Sequence, residues 1–293
     1  MRNHYRKAPL GNPLLRAIRA VTASLVTLND GPEQPRYSPD ALGAELMMCI
    51  RGMRDEFYDT RRGVVDYDAL RGSTAFAHYR VLTNGLRRFD LNTLKSDEER
   101  LAFWINLYNT IVVDGIVTLR VKESVREIPG FFRRIRYDIG GLTFSPDQME
   151  HGLLRGNARP WGRPFRPFHW LNPRRKWIIG RCDPRIHFSL VCGSRSCAPI
   201  EYYDHGRLDV QLEAGARSFV NSSEVLVLPE QDRILLSEIF RWYKTDFGGK
   251  AGVIDFICRY LAADDLRHYL KANGERLTFE YLFYDWNLNM GGN

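Results

Sequence analysis

The sequence predicts an α+β fold, a buried central helix packed on a mostly antiparallel sheet, and three observations lead there. Ser96-Asp97-Glu98-Glu99 is a capping box that opens a helix running to about Leu119. That helix is apolar nearly all round, so it belongs in the interior. Two hairpin signatures follow: Tyr137–Ile139 and Leu142–Phe144 around Gly140-Gly141, then Glu224–Leu228 with Arg233–Leu236. Asp183 to Cys192 reads as an apolar strand that carries His187 into the sheet.

The 293 residues suffice for one sizeable core, and 44% hydrophobic with 26% charged residues is ordinary for a globular protein. Residues 1–40 read as a basic arm and linker and 41–293 as a single domain, with Pro13–Val26 as an amphipathic helix that packs on the domain or rests weakly on a membrane surface. No run reaches the ~18 apolar residues of a membrane span. The net charge of +7 comes without the basic-aromatic repeat of a nucleic-acid module, so nucleic acid is not the expected partner. Five irregularly spaced cysteines argue against a disulfide framework and for a reducing, cytoplasmic setting.

Along the chain, Ser38-Pro39-Asp40 opens a helix to about Tyr58, and a second helical stretch runs from Asp68 to Leu86. On the central helix Asn106 and Asn109 lie three apart, hence on one face, and a buried amide there must find partners. Ser145-Pro146-Asp147-Gln148 starts a short helix bearing Glu150, His151 and Arg155; neighbours on a helix point about 100° apart, so spacing alone does not pair Glu150 with His151. Residues 156–176 form a long loop with four prolines and six Arg or Lys residues, of which Arg166, Arg174 and Arg175 are candidates for an anionic substrate. Trp177–Gly180 reads as a strand, Leu208–Asn221 as an amphipathic helix and Ser237 as a helix cap. Helices over Val253–Leu261 and Asp264–Ala272 and a strand over Leu277–Trp286 complete the chain.

Five segments in fixed order carry a resemblance: FWINLYN (103–109), DQMEHGLLR (147–155), DPRIHFSLVCGSRSCAP (183–199), SEIFRWYKTDFG (237–248) and YDWNLN (284–289). Together they resemble the family catalogued as domain of unknown function 547, over roughly residues 64–289. The resemblance implies a papain-like or transglutaminase-like fold, with a Cys, a His and a polar orienting residue where the central helix meets the sheet. It supplies no established activity.

The residues offer their own chemistry. A thiol attacks as thiolate and needs a neighbour to activate it. Cys197 is the first candidate nucleophile and Cys192 the second; His187 is the first candidate base and His151 the second. Glu150, Asn106 or Asn109 would orient the imidazole, and the backbone N–H groups from Gly193 through Ser194 and Arg195 to Ser196 would form an oxyanion nest. These residues predict a thiol-dependent hydrolase or acyl transferase acting on a peptide or other acyl compound, with no cofactor. Two alternatives stand beside it: a non-catalytic binding domain, and a zinc site built from His151, His187, Cys192 and Cys197, whose Cys-x4-Cys spacing is wide for a knuckle.

Overall fold

The computed structural model describes residues 24–32 and 39–291. The basic helix expected over Pro13–Val26 lies outside them apart from its last residues, which are not helical: Val26–Thr27 is a short strand. The Ser38 cap also lies outside.

The capping box forms as read. Ser96 Oγ accepts from Glu99 N at 3.1 Å and Glu99 Oε2 accepts from Ser96 N at 3.1 Å, starting the helix Asp97–Thr118. This is the one described helix long and apolar enough to cross a membrane, but 83% of that stretch is buried inside the fold. It is a core helix, and Trp104, Ile105, Ile111, Val112 and Ile116 are fully enclosed. Pro39–Phe57, Tyr67–Gly72 and Thr74–Gly85 pack over it. The stretch expected as one helix from Asp68 to Leu86 breaks at Ser73, which is extended (φ −80°, ψ 151°) and caps the second segment by accepting from Phe76 N.

The sheet is not one layer but three small pieces. Ile135–Ile139 pairs antiparallel with Leu142–Phe144 through the Gly140-Gly141 turn and parallel with Val26–Thr27. Tyr58–Asp59 pairs with Val64–Val65. Arg233–Leu236 is central to the third, antiparallel to Val225–Leu228 and parallel to Thr278–Tyr281. The last sheet and the helices Leu208–Val220, Gly249–Tyr260 and Asp264–Asn273 share a second apolar cluster around Phe188, Phe240 and Ile257. The fold is therefore α+β with small mixed sheets.

His187 lies in none of these sheets. Asp183 caps a 3-10 turn over Pro184–Phe188, its carboxylate accepting from Arg185 N at 2.9 Å, with Pro184 at the first position where its missing N–H costs nothing. Residues 189–191 then run past the central helix, and the Asn109 amide supplies what a neighbouring strand would. Nδ2 donates to Ser189 O (2.9 Å) and Oδ1 accepts from Val191 N (2.8 Å). Asn106 does the same at the far end of the segment, donating to Tyr203 O (2.7 Å) and accepting from Tyr203 N (2.9 Å). Apolar alternation indicated burial here, but side-chain amides satisfy the backbone instead of a strand. Trp177–Gly180 is likewise not a strand, since Pro173–Trp177 is a 3-10 turn capped by Asn172. Beyond Tyr281 the expected C-terminal strand is irregular.

Candidate functional site

The segment after the first hairpin begins with reciprocal bonds between Ser145 and Gln148, but the helix they start, Gln148–Leu154, is a π-helix. Arg155 N donates to Glu150 O at 2.9 Å, an i to i+5 bond. Such widened turns recur at functional sites because they re-aim side chains. Here Glu150, His151 and Arg155 all face inward. Glu150 Oε1 accepts from the Tyr243 hydroxyl at 2.5 Å and lies 3.5 Å from His151 Nδ1, a proximity that regular helical spacing did not suggest.

Two imidazoles are fixed by one network, and their partners define their tautomers. Asp246 is held by the Arg155 fork, Nε to Oδ2 and Nη2 to Oδ1, and its Oδ2 lies 2.9 Å from His187 Nε2. A carboxylate can only accept, so His187 Nε2 carries the proton and Nδ1 keeps the lone pair. The ring stacks on Tyr243 at 3.8 Å between centroids. Arg155 Nη1 lies 2.8 Å from His151 Nδ1, and a guanidinium can only donate. His151 Nδ1 is therefore the acceptor, and its proton sits on Nε2. It follows that the 3.5 Å approach to Glu150 is not an ion pair. Burial pushes both imidazoles below their ordinary value, against the raising effect of Asp246 on His187 and of Glu150 on His151. Burial also acts to raise Asp246, but the hydrogen bonds from His187 and Arg155 outweigh it and hold the carboxyl well below its usual range. The orienting carboxylate of His187 is thus Asp246, not Glu150, Asn106 or Asn109.

The thiols sit in the next turn of chain. Gly193 adopts φ +78°, and a Cβ there would lie 2.5 Å from Ile116, so only glycine allows the chain to bend against the central helix. Cys192 Sγ lies 3.0 Å from Ser194 Oγ and 3.2 Å from the Tyr284 hydroxyl. Cys197 Sγ accepts from Cys192 N at 3.0 Å and lies 3.4 Å from Leu190 O. The neighbouring Cys197 thiol is the main reason Cys192 is lowered to about 7, with Ser194 and Tyr284 adding to it against the opposing effect of burial. Cys197 is pushed the other way by Cys192 and by burial. Of the four N–H groups expected to form an oxyanion nest, those of Arg195 and Ser196 are engaged by the C-terminal segment, while the Ser194 N–H acts on the Cys192 thiol. Arg195 N donates to Asn287 O, Ser196 N to Asp285 O and Cys197 N to Ser194 O. The YDWNLN segment clamps this loop, with Asn289 N on Gly193 O and the Tyr67 hydroxyl on Asn289 Oδ1.

Glu150, His151, His187, Cys192 and Cys197 line one cavity of about 490 Å³. Its walls are mostly rings, among them Tyr108, Trp242, Tyr284 and Trp286. A larger cavity of about 580 Å³ lies on the other side of the Arg195–Pro199 stretch. It includes Cys197 but neither imidazole nor Cys192, so the smaller cavity holds the reactive groups. Neither imidazole hydrogen-bonds a thiol: His187 is on Asp246 and His151 on Arg155. Arg195 is exposed at its rim position in the larger cavity. Arg166 and Arg174 brace backbone carbonyls of Asn157 and Thr143; the arginine of that loop that lines the reactive cavity is Arg163, paired with Asp147.

The four expected zinc ligands do not form a cluster among the described residues. A different trio, Cys182, His187 and Asp246, brings its ligand atoms within 4.8 Å of one another. Arg155 already occupies both oxygens of that carboxylate, and burial pushes the Cys182 thiol up to about 12, so this trio favours a proton network over a cation. Sequence reasoning gave no role to Tyr243, Asp246, Arg155, Tyr284 or Cys182. Tyr243, Asp246 and Tyr284 stand in motifs that carried the resemblance, which was the signal available.

The thiols make a direct prediction. Alkylation of Cys192 by iodoacetamide should rise with a midpoint at about pH 7, whereas Cys49 and Cys182, raised by burial to about 11 and about 12, should react only in strong alkali. Peptide mapping after timed labelling checks this; modification of Cys197 ahead of Cys192 at neutral pH would reverse the assignment.

No curated protein and no solved structure matches the chain. Over residues 91–220 the chain matches the family model described as protein of unknown function, DUF547, a stretch that holds Glu150, His151, Arg155, His187 and both thiols and leaves Tyr243, Asp246 and Tyr284 outside it, and this supports the kinship read from the motifs.

Proposed function

We propose that this protein is a thiol-dependent hydrolase or acyl transferase with Cys192 as nucleophile. The observation that carries the reading is the convergence, in one ring-walled cavity, of a thiol lowered by hydrogen bonds and a histidine whose Nε2–H is held by a carboxylate. About 490 Å³ suits a small acyl compound. Kinship with papain-like and transglutaminase-like folds belongs to the same proposal, supported by a buried helix that pins the Cys- and His-bearing segment through Asn109.

In this reading the Cys192 thiolate attacks the acyl carbonyl, and the carbon–leaving-group bond breaks to give a thioester. The leaving group takes up a proton. The lone pair on His187 Nδ1 then takes a proton from water or an acceptor hydroxyl, which attacks the thioester and releases Cys192 as thiolate. The His151 Nε2–H, the N–H groups of Gly193 and Ser194 and, once Cys192 has given up its charge to the acyl carbon, the Tyr284 hydroxyl are the donors that steady the oxyanion. The thiol needs no direct contact with an imidazole, because hydroxyl and thiol donors already favour its anion.

Incubation with p-nitrophenyl acetate tests this. One acetyl group should appear on the Cys192 peptide in the intact protein and be absent in Cys192→Ser. His187→Gln should accumulate the acetyl-enzyme, because deacylation loses its base. Acetylation no faster than that of free cysteine, or spread over all thiols, would sink the proposal. It would favour a non-catalytic ligand-binding domain, the reading that the missing thiol–imidazole bond supports.

A further inference from the structure

Of the large apolar side chains that stand exposed among the described residues, four fall within eleven residues of one loop. Trp161 is 59% exposed, Phe165 81%, Trp170 71% and Leu171 68%. Scattered exposed hydrophobics need no explanation, but a concentration of this kind does. Phe165, Trp170 and Leu171 project outward at these exposures, whereas Trp161 stands at the edge of the reactive cavity.

The loop holds them out on a rigid frame. Asn157, itself at φ 59°, brackets Phe168 with two hydrogen bonds: Nδ2 donates to Phe168 O and Oδ1 accepts from Phe168 N, both at 2.9 Å. Phe168 is buried on Gly152, where a Cβ would lie 2.4 Å from the ring, so the anchor requires glycine at that point of the π-helix. Arg166 ties back to Asn157 O, Arg163 to Asp147, and Arg241 lies 5.3 Å from the centre of the Trp161 ring. Pro160, Pro164 and Pro167 limit the backbone further. Phe165 lies between the two halves of this clamp, and Trp170-Leu171 lies just beyond it.

Charge identifies the partner. Residues 156–176 contain six Arg or Lys residues and no Asp or Glu. Arg159, Arg175 and Lys176 are exposed in the same loop as the apolar tips. Aromatic side chains settle at the membrane–water interface, and basic residues are drawn to anionic headgroups. A bilayer satisfies cations wherever they fall around the tips, whereas a protein partner needs carboxylates in matched positions. Trp161 and Arg163 also line the reactive cavity, so this face and the cavity mouth are continuous. We infer that the 156–176 loop docks the protein on anionic phospholipid membranes, with Phe165, Trp170 and Leu171 entering the interface.

Co-sedimentation of the full chain with vesicles tests this. Vesicles of phosphatidylcholine with about 30% phosphatidylserine should bind it, pure phosphatidylcholine much less, and about 1 M salt should weaken the binding. The variant F165S/W170S/L171S should lose about tenfold or more in partitioning with its melting temperature unchanged. The variant R159Q/R175Q/K176Q should lose the preference for the anionic lipid. Absence of binding to either vesicle, or binding that survives F165S/W170S/L171S, overturns the inference. So does a dimer in light scattering that the apolar variant dissolves, which would assign the patch to a second copy. A drop in melting temperature would mean the side chains pack in the fold, contrary to their exposure.

Discussion

Asp246→Asn is expected to destabilise the protein by about 3–5 kcal/mol at neutral pH, the cost of stranding a buried cation. The Arg155 side chain is 2% exposed and the Asp246 side chain 7%, so water cannot replace the lost charge. Asn keeps the size and one acceptor, but it cannot receive the two-pronged guanidinium and the His187 N–H as a carboxylate does. The pH dependence follows from the directions of the shifts. Asp246 is held below its ordinary 3.8, so its contribution is complete above that value and fades as pH falls below it toward the lowered folded-state value. His187 and His151 are pushed below 6.5. The unfolded chain therefore takes up protons first, and stability is also lost as pH falls below about 6.5. The wild type should weaken in both windows. The variant lacks the lower one, so the gap between the two proteins should narrow in strong acid. Urea unfolding at neutral pH and below pH 4 measures this; a gap that stays constant would show that Asp246 does not carry the Arg155 charge.

Asn109→Leu should be almost as damaging and should act on the thiol without touching it. The change conserves shape but leaves Ser189 O and Val191 N without partners inside the core. Each orphaned backbone group costs about 1–3 kcal/mol, so roughly 2–6 kcal/mol is expected for the two. Val191 directly precedes Cys192, and releasing it should slacken the Gly193 turn that sets Cys192 against Ser194 and Tyr284. Alkylation of Cys192 should then lose its neutral midpoint and shift toward that of an ordinary thiol. Asn106→Leu orphans Tyr203 in the same way but lies at the other end of the segment. It should cost similar stability and leave the Cys192 midpoint near its place. Equal effects of both variants on that midpoint would mean the loop responds only to overall loosening.

Several elements of this fold were legible because their causes are local. The Ser96–Glu99 box, the Gly140-Gly141 hairpin and the Arg233–Leu236 pairing depend on residues a few positions apart, and each formed where composition put it. The Asp183–Cys192 stretch misled because apolar alternation reports burial, not the identity of the hydrogen-bond partner. In the structure Asp183 caps a 3-10 turn with Pro184 at its first position instead. Glu150 and His151 met because a π-turn replaced the regular helical spacing, and one extra residue in a turn leaves no mark on composition.

The sequence by itself determined that a buried helix would carry two amides on one face, and that His187, Cys192 and Cys197 would fall in one short segment. Only the tertiary structure decided which atoms act. Asp246 reaches His187 across 59 positions, Tyr284 reaches Cys192 across 92, and Arg155 sets the tautomer of one imidazole while holding the carboxylate of the other. The physical reason is range. Caps, turns and periodicity act over a handful of residues, but a proton's position depends on whichever donors and acceptors the packed core brings within about 3 Å.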